Sequence, residues 1–187
     1  IYQLCMSFDL INKEKLHLEQ SCEALSILPS TQQIIISIKN QSLYFLNQDS
    51  LIKQYTVSTS KNPPSCLENS FGTPLGLHQV EEKIGEGVPI DTVFKGRVSQ
   101  SYTYEEASKE EQLTNLITTR IIRIKGLDPN LNLGDPHDTF NRYIYIHGTN
   151  HEERLGQPFS KGCIELSNQD CLDLFFLVNP GDQIWIE

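Results

Sequence analysis

The sequence predicts a mainly β fold, a β-sandwich or partial barrel of mixed sheets with long loops and one C-terminal helix. Three observations carry this expectation. Short runs rich in Ile, Val, Tyr and Phe recur between clusters of Gly, Pro, Asn and Ser, the pattern of strands bounded by turns. One segment, beginning at Ser167, best joins a helix-capping residue to apolar positions at helical spacing. Strands and helices do not alternate as a doubly wound sheet requires.

Residues 1–32 mix Leu10, Ile11, Leu16, Leu18, Leu25 and Leu28 with polar residues and close on Pro29-Ser30. They read as a short helical or irregular lead-in to a domain spanning 33–187. Ile34 to Ile38, Leu43 to Leu46 and Leu51 to Ser58 are separated by the polar turns Lys39-Asn40-Gln41-Ser42 and Asn47-Gln48-Asp49-Ser50, so three strands form a meander. Lys61 to Gly76 carries three prolines and two glycines and is a long loop, which delivers the chain to a strand through Leu77-His78-Gln79-Val80. Glu81 to Gly96 is a polar, Gly-containing excursion, and Val93 to Val98 resumes apolar/polar alternation. Tyr102 to Asn115, with Glu105, Glu106, Glu110 and Glu111, is a solvated loop or short surface helix.

Ile117 to Lys125 is β-branched and alternating, a core strand. Leu127 to Asn141 is a loop with Pro129, Gly134 and Pro136, and Tyr143 to His147 is a strand with the histidine at its end. Ser167-Asn168 cap a helix that has Asp170 in its first turn and Cys171, Leu172, Leu174, Phe175 and Val178 as its apolar set. Asn179-Pro180-Gly181-Asp182 ends that helix, and Gln183 to Glu187 is the last strand.

At 187 residues the chain can bury one sizeable core, and a monomer is the default. A formal charge of −9 argues against nucleic acid and anionic lipid, whose phosphates need a basic surface. No apolar run reaches the ~20 residues of a membrane span. The chain opens at Ile1 with no basic stretch followed by an apolar one, which permits the earlier removal of a signal and hence export. The five cysteines, Cys5, Cys22, Cys66, Cys163 and Cys171, form no CxxC pair and no Cys/His quartet, which argues against structural zinc. Cys5 and Cys22 are compatible with a disulfide or with free thiols.

The informative stretch runs from Tyr145-Ile146-His147-Gly148-Thr149-Asn150 to Ser160-Lys161-Gly162-Cys163-Ile164-Glu165. A cysteine becomes a nucleophile when an imidazole takes its proton and backbone N–H groups face the developing oxyanion. Gly162 suits close approach of the backbone to a carbonyl, and the amides of Gly162 and Cys163 are the candidate oxyanion donors. A Cys and a His sixteen positions apart are by themselves weak, because buried inert cysteines and core histidines are commoner than catalytic pairs.

The local sequences add specificity. His147-Gly148-Thr149 and Ser160-Lys161-Gly162-Cys163 resemble the active-site signature of the L,D-transpeptidase catalytic domain (YkuD type), a His-Gly dipeptide on a strand followed by a Ser/Thr-His-Gly-Cys turn. Gly72-Thr73-Pro74-Leu75-Gly76 resembles that family's Thr-Pro-x-Gly turn, and the resemblance covers residues 33 to 187. It implies the family's β-sandwich and a peptidoglycan-modifying enzyme without cofactor or metal. Cys163 would attack a peptide carbonyl of a stem peptide, His147 would act as base and then acid, and the Gly148 carbonyl would orient the imidazole. Ser160, Lys161, Gly162, Thr149 and Arg97 would bind substrate or oxyanion. An amine acceptor gives transpeptidation and water gives L,D-carboxypeptidase activity, in the periplasm or cell envelope.

Two positions depart from the family pattern. Lys161 stands where a histidine is usual, and Glu165 where an arginine is common. Lys161 keeps positive charge near Cys163, able to lower its pKa or bind a carboxylate. Glu165 is open to pairing with Lys161 or Arg142, to amine recognition, or to a plain solvated role. Arg120 is weighed as a carboxylate ligand beside Arg97, both on expected strands; Tyr145 as packing; and His151 as a solvated loop residue. Two rival readings remain: a metallohydrolase using His147, His151 and Cys163, and a non-catalytic wall-binding module of the same fold.

Overall fold

The computed structural model describes residues 2–187, with side chains from Phe8 onward. The meander expected from the sequence is present as β1 (Gln32–Ser37), β2 (Ser42–Asn47) and β3 (Ser50–Thr56). The C-terminal strand β10 (Gln183–Ile186) lies parallel to β1, with Ile34 beside Ile184. It pairs antiparallel with β4 (Gly76–Ile84), which in turn pairs with the long β7 (Ile117–Gly126). Past β7 the ladder divides. One branch is the hairpin of β5 (Thr92–Lys95) and β6 (Val98–Thr103). The other is β8 (Tyr145–Gly148), joined in parallel by β9 (Ile164–Leu166). The ten strands make one continuous mixed sheet, and the parallel β8–β9 pair is what brings the two halves of the active-site signature side by side.

The period-2 alternation of the strands decides what each face buries. On the inner face Ile34, Ile36, Phe45, Ile122, Ile146 and Ile184 pack against α3 (Asn168–Leu177) through Leu174 and Phe175. Ser167 is its N-cap, the hydroxyl accepting from the Asp170 amide at 3.1 Å. A satellite group of Phe94, Ile121 and Tyr145 packs beside Cys163.

Of the two forms expected for the amino-terminal lead-in, helical or irregular, it takes the helical one and is longer than expected. It is a helix of 23 residues, α1 (Tyr2–Ala24), which lays Ile11, Glu14, Leu18 and Cys22 on the outer face of the sheet. The buried stripe is one residue wide and is interrupted by Glu14, whose carboxylate accepts from Trp185 Nε1 at 3.0 Å. A polar residue at a core position is what hides the full length of this helix from a periodicity reading. Cys22 is a free thiol and donates to Gln183 Oε1 at 3.4 Å, so the Cys5–Cys22 disulfide is not formed by that residue; the Cys5 side chain lies outside the described residues. Three further boundaries shift. β4 continues to Ile84 into the expected excursion, 98–103 is strand, and Tyr143 precedes β8 in a turn with φ +57°. Acidic residues do form a short helix, α2 (Lys109–Gln112), with Ser108 and Glu111 in a capping box. Among the described residues no helix is long and apolar enough to cross a membrane.

Candidate active site

His147, on β8, and Cys163, in the turn that leads into the adjacent β9, reach the same cleft. His147 sits in β8, is 3% exposed, and its Nδ1 lies 2.6 Å from the Gly148 carbonyl. A carbonyl only accepts, so Nδ1 carries the proton and Nε2 is left as the basic atom. Burial pushes the imidazole down to about 4, against the Gly148 bond, so it is neutral at rest.

Cys163 precedes β9 at the end of a tight turn. Thr73 Oγ1 donates to the Gly162 carbonyl at 3.0 Å and Ser160 Oγ to the Cys163 carbonyl at 2.6 Å, which ties the turn to the Thr-Pro loop below it. Gly162 has φ +123°, and a Cβ there would stand 2.9 Å from Ile144 Cδ1, so only glycine fits. The Gly162 N–H is spent on Ser160 Oγ at 3.2 Å. This corrects the expectation that it faces the substrate, and leaves the Cys163 amide as the oxyanion candidate of that pair.

The thiol is held by the Tyr145 amide, 3.3 Å from Sγ, and faces the Tyr143 carbonyl at 3.7 Å. Burial pushes it up to about 12; the Tyr145 amide and the Arg142 charge oppose that rise, and Glu165 adds to it. The cation bearing on the sulfur is therefore Arg142, and the expectation that Lys161 lowers its pKa is corrected. At rest the pair is a neutral thiol and a neutral imidazole.

The shared cleft has a volume of about 420 Å³ and is lined by Thr114, Asn115, Ile117, His147, Lys161, Cys163 and Glu165. A second cleft of about 220 Å³, with Phe71, Arg142, Tyr143 and again Lys161 in its wall, opens on the far side of the Lys161 turn. Lys161 is exposed and common to both. Arg142 is committed elsewhere, donating to the Ser65 and Gly72 carbonyls at 2.9 and 2.7 Å.

Glu165 does not face solvent, and its ion-pair contact is with neither Lys161 nor Arg142. It is 1% exposed, in register with His147, and its Oε1 stands 3.7 Å from His147 Nε2. Asn115 Nδ2 donates to that oxygen at 2.5 Å, and Thr149 Oγ1 steadies the Asn115 amide at 3.3 Å. Thr149 is thus a brace of the site wall.

Arg97 lies in the β5–β6 turn, not on a strand; it donates to Tyr145 Oη at 3.1 Å and stacks on Tyr143 at 5.0 Å, outside both clefts. Arg120 is buried over Phe175, away from the cleft. His151 turns from the cysteine to the Thr114 carbonyl and Glu153. Among the described residues no three His, Cys, Asp or Glu side chains gather as metal ligands.

Sequence reading passed over Asn115 and Asn168. Asn168 was taken for part of a helix cap, yet its side chain reaches back to the Thr149 carbonyl and Glu152 Oε1, each at 2.9 Å, and accepts from the Thr118 and Thr119 hydroxyls. It clamps the backbone that carries His147, and a Cβ on Gly148 would come 2.6 Å from its Oδ1. Neither asparagine had a local sequence signal, because their partners lie 16 to 50 positions away along the chain.

The sequence profile of the YkuD family, described as the L,D-transpeptidase catalytic domain, matches residues 31–186. The Bacillus subtilis protein named "Putative L,D-transpeptidase YqjB" is 36% identical over 69 residues, covering 34% of this chain and 39% of that protein. Among solved structures, L,D-transpeptidase 3 from Mycobacterium tuberculosis, in complex with a faropenem-derived adduct, is similar at a TM-score of 0.53 and 14% identity, over 84% of this chain and 60% of that one. An Enterococcus faecium L,D-transpeptidase mutant is similar at 0.52 and 13%, over 85% and 50%. At such identities the likeness is one of fold, mainly β with a mixed sheet and a C-terminal helix. The chain spans 39% of the curated relative and 50% to 60% of these two structures.

Proposed function

Because the chain belongs to the L,D-transpeptidase catalytic-domain family, we propose that it is a cysteine acyltransferase acting on peptidoglycan stem peptides, with Cys163 as nucleophile and His147 as general base. The observation that carries this reading is the tautomer of His147. The Gly148 carbonyl holds the proton on Nδ1, so the basic Nε2 belongs to the wall of the cleft that also contains the Cys163 thiol.

Since thiol and imidazole are both neutral at rest, no preformed thiolate waits in the site. The proton leaves Sγ for Nε2 as Sγ attacks the carbonyl, which is general-base catalysis rather than ion-pair catalysis. The Cys163 amide takes the oxyanion, and the Tyr145 amide, 3.3 Å from Sγ, stabilises charge that develops on sulfur. His147 then protonates the leaving nitrogen and a thioacyl-enzyme remains. Lys161 at the rim of both clefts suits a carboxylate of the stem peptide, and Arg97, stacked on Tyr143, is a further anchor at the margin. Such a substrate puts the protein in the cell envelope.

Mass spectrometry after exposure to a stem tetrapeptide or a carbapenem tests this. The expected result is a covalent adduct on the wild-type protein and none on Cys163→Ala. An adduct that persists in Cys163→Ala, or its absence from a folded wild type, sinks the reading and leaves a non-catalytic binding module.

A further inference from the structure

The chemistry above uses one acid–base group, yet the cleft holds a second. Glu165 lines it together with Cys163 and His147. Its Oε1 is anchored by Asn115 and faces His147 Nε2 at 3.7 Å, a gap that one water or a small closure spans. Its Oε2 is buried without a hydrogen-bond partner. A buried, half-satisfied carboxyl costs stability, and among the described residues the one basic side chain within salt-bridge reach is His147; Arg154 acts on it only at a distance.

Peptide exchange at neutral pH moves one proton more than the one that passes between thiol and histidine, and that proton is exchanged either with solvent or with a second group in the site. An amide nitrogen leaves, at neutral pH, as an ammonium, and needs two protons: one comes from the thiol and one must come from elsewhere. An amine acceptor arrives as an ammonium and must give two up. Water attacks as a neutral molecule with its lone pairs free, and its surplus proton appears only afterwards, when the product acid ionises; an ammonium must lose a proton before it can attack at all.

We propose that Glu165, acting through His147, stores the proton that separates amine from ammonium, and so biases the thioacyl-enzyme toward amine acceptors over water. The proposal rests on the acyltransferase reading and deepens it. In the first half, R–CO–NH–R′, the Cys163 thiol and the Glu165 carboxylic acid become Cys163–S–CO–R, R′–NH3+ and the Glu165 carboxylate. The C–N bond breaks, the C–S bond forms, and both protons go to nitrogen. In the second half, R″–NH3+ gives one proton to His147 and on to Glu165 and one to the departing sulfur; the C–N bond forms and the thiol and carboxylic acid are restored. The thioacyl-enzyme thus carries a carboxylate beside its thioester, a site that fits an ammonium. Burial pushes Glu165 up to about 8, against the Asn115 bond, so the resting carboxyl holds its proton at neutral pH.

The test compares wild type, Glu165→Gln and Glu165→Asp, each loaded with the same stem tetrapeptide donor, and reads the ratio of amide to hydrolysed product from one thioacyl pool, so that differences in loading cancel. Two acceptors are used: a diamino-acid stem peptide, present as an ammonium, and trifluoroethylamine, which is neutral at the assay pH. In Glu165→Gln the ratio for the ammonium acceptor is expected to fall about tenfold or more, the equivalent of one pK unit of proton affinity. The ratio for trifluoroethylamine stays, and Glu165→Asp recovers part of the loss. An unchanged ratio with the ammonium acceptor, or an equal fall with both amines, overturns the proposal. A wild type that never loads overturns the underlying reading instead.

Discussion

Replacement of Asn168 by alanine is the sharpest structural perturbation available near the site. The side chain is 3% exposed and makes four hydrogen bonds: donors at 2.9 Å to the Thr149 carbonyl and to Glu152 Oε1, and acceptances from the Thr118 and Thr119 hydroxyls at 2.5 and 2.6 Å. Each buried bond is worth about 0.5–1.5 kcal/mol net, with more where a carboxylate takes part. The two threonine hydroxyls can rotate to other partners, so the loss should fall in the lower half of the sum of about 2–6 kcal/mol, at about 3 kcal/mol. Thr119 sharpens the case, being β-branched at φ +69° and held there partly by its bond to Asn168. At this chain length 3 kcal/mol lowers Tm by about 6–12 °C. The clamp also fixes Thr149, next to the Gly148 carbonyl that orients His147, and displacement of a catalytic group by about 1 Å costs on the order of 100-fold in rate. Asn168→Ala should therefore melt early and, below its Tm, load the thioacyl group much more slowly than wild type. Calorimetry and time-resolved mass spectrometry read both. A Tm within about 2 °C of wild type, or normal loading in a variant that melts early, would refute the clamp.

Other expectations follow from single positions. Gly162→Ala meets Ile144 Cδ1 at 2.9 Å and the Gly72 carbonyl at 3.3 Å at a left-handed φ; denaturant titration should show a loss of about 2–4 kcal/mol, and a neutral result would mean that the turn is not built as described. Leu18→Ala opens a void between α1 and the sheet beneath fully buried Leu18, so unfolding should cost about 2–5 kcal/mol less while adduct formation below the melting point continues; a loss of loading in the folded variant would argue against α1 as a purely structural cover. Acid should destabilise through His147 and His78, both lowered by burial from 6.5 to about 4. Their folded forms bind fewer protons than the unfolded chain, so the contribution is present above pH 6.5 and is lost as pH falls from there to about 4. Glu165, raised from 4.5 to about 8, opposes His147 over part of that window, so a stability curve flat across it in a His78→Gln, Glu165→Gln background would contradict the assignment to His147.

How much of this was legible in the sequence depended on whether the determinant was local. Strands such as Ile34 to Ile38 and Ile121 to Ile124 declare themselves because alternation and β-branching are properties of neighbouring residues. The cap at Ser167 does so for the same reason. The full length of α1 escaped because its buried stripe contains Glu14, and one of the groups that admits a glutamate there is Trp185, 171 positions away. The Cys163 turn was readable as a motif, but the engagement of the Gly162 amide by Ser160 was not, since it depends on how the turn closes against Thr73. The sequence also placed Arg97 on a strand, where the chain instead makes the Gly96-Arg97 turn between β5 and β6; Gly96, at φ +62°, was the signal available for that turn.

Glu165 shows why a site residue can look wrong to a sequence reading and still be in its place. A carboxyl at a strand position whose neighbours Ile164 and Leu166 are fully buried violates the burial rule for charges, and a solvated role is the natural guess. In the fold its burial carries a cost with a definite sign. The carboxyl is raised from 4.5 to about 8, so the folded state binds one more proton than the unfolded chain between those values, and stability declines as pH rises across them. Glu165→Gln removes that term. The variant should match wild type near pH 4.5 and become progressively more stable than wild type toward pH 8, which chemical denaturation at a series of pH values would measure. A gap that is constant with pH, or one of opposite slope, would mean that Glu165 is ionised in the native state. It would then be a carboxylate paired with a His147 imidazolium at rest, and could not hold a proton in reserve.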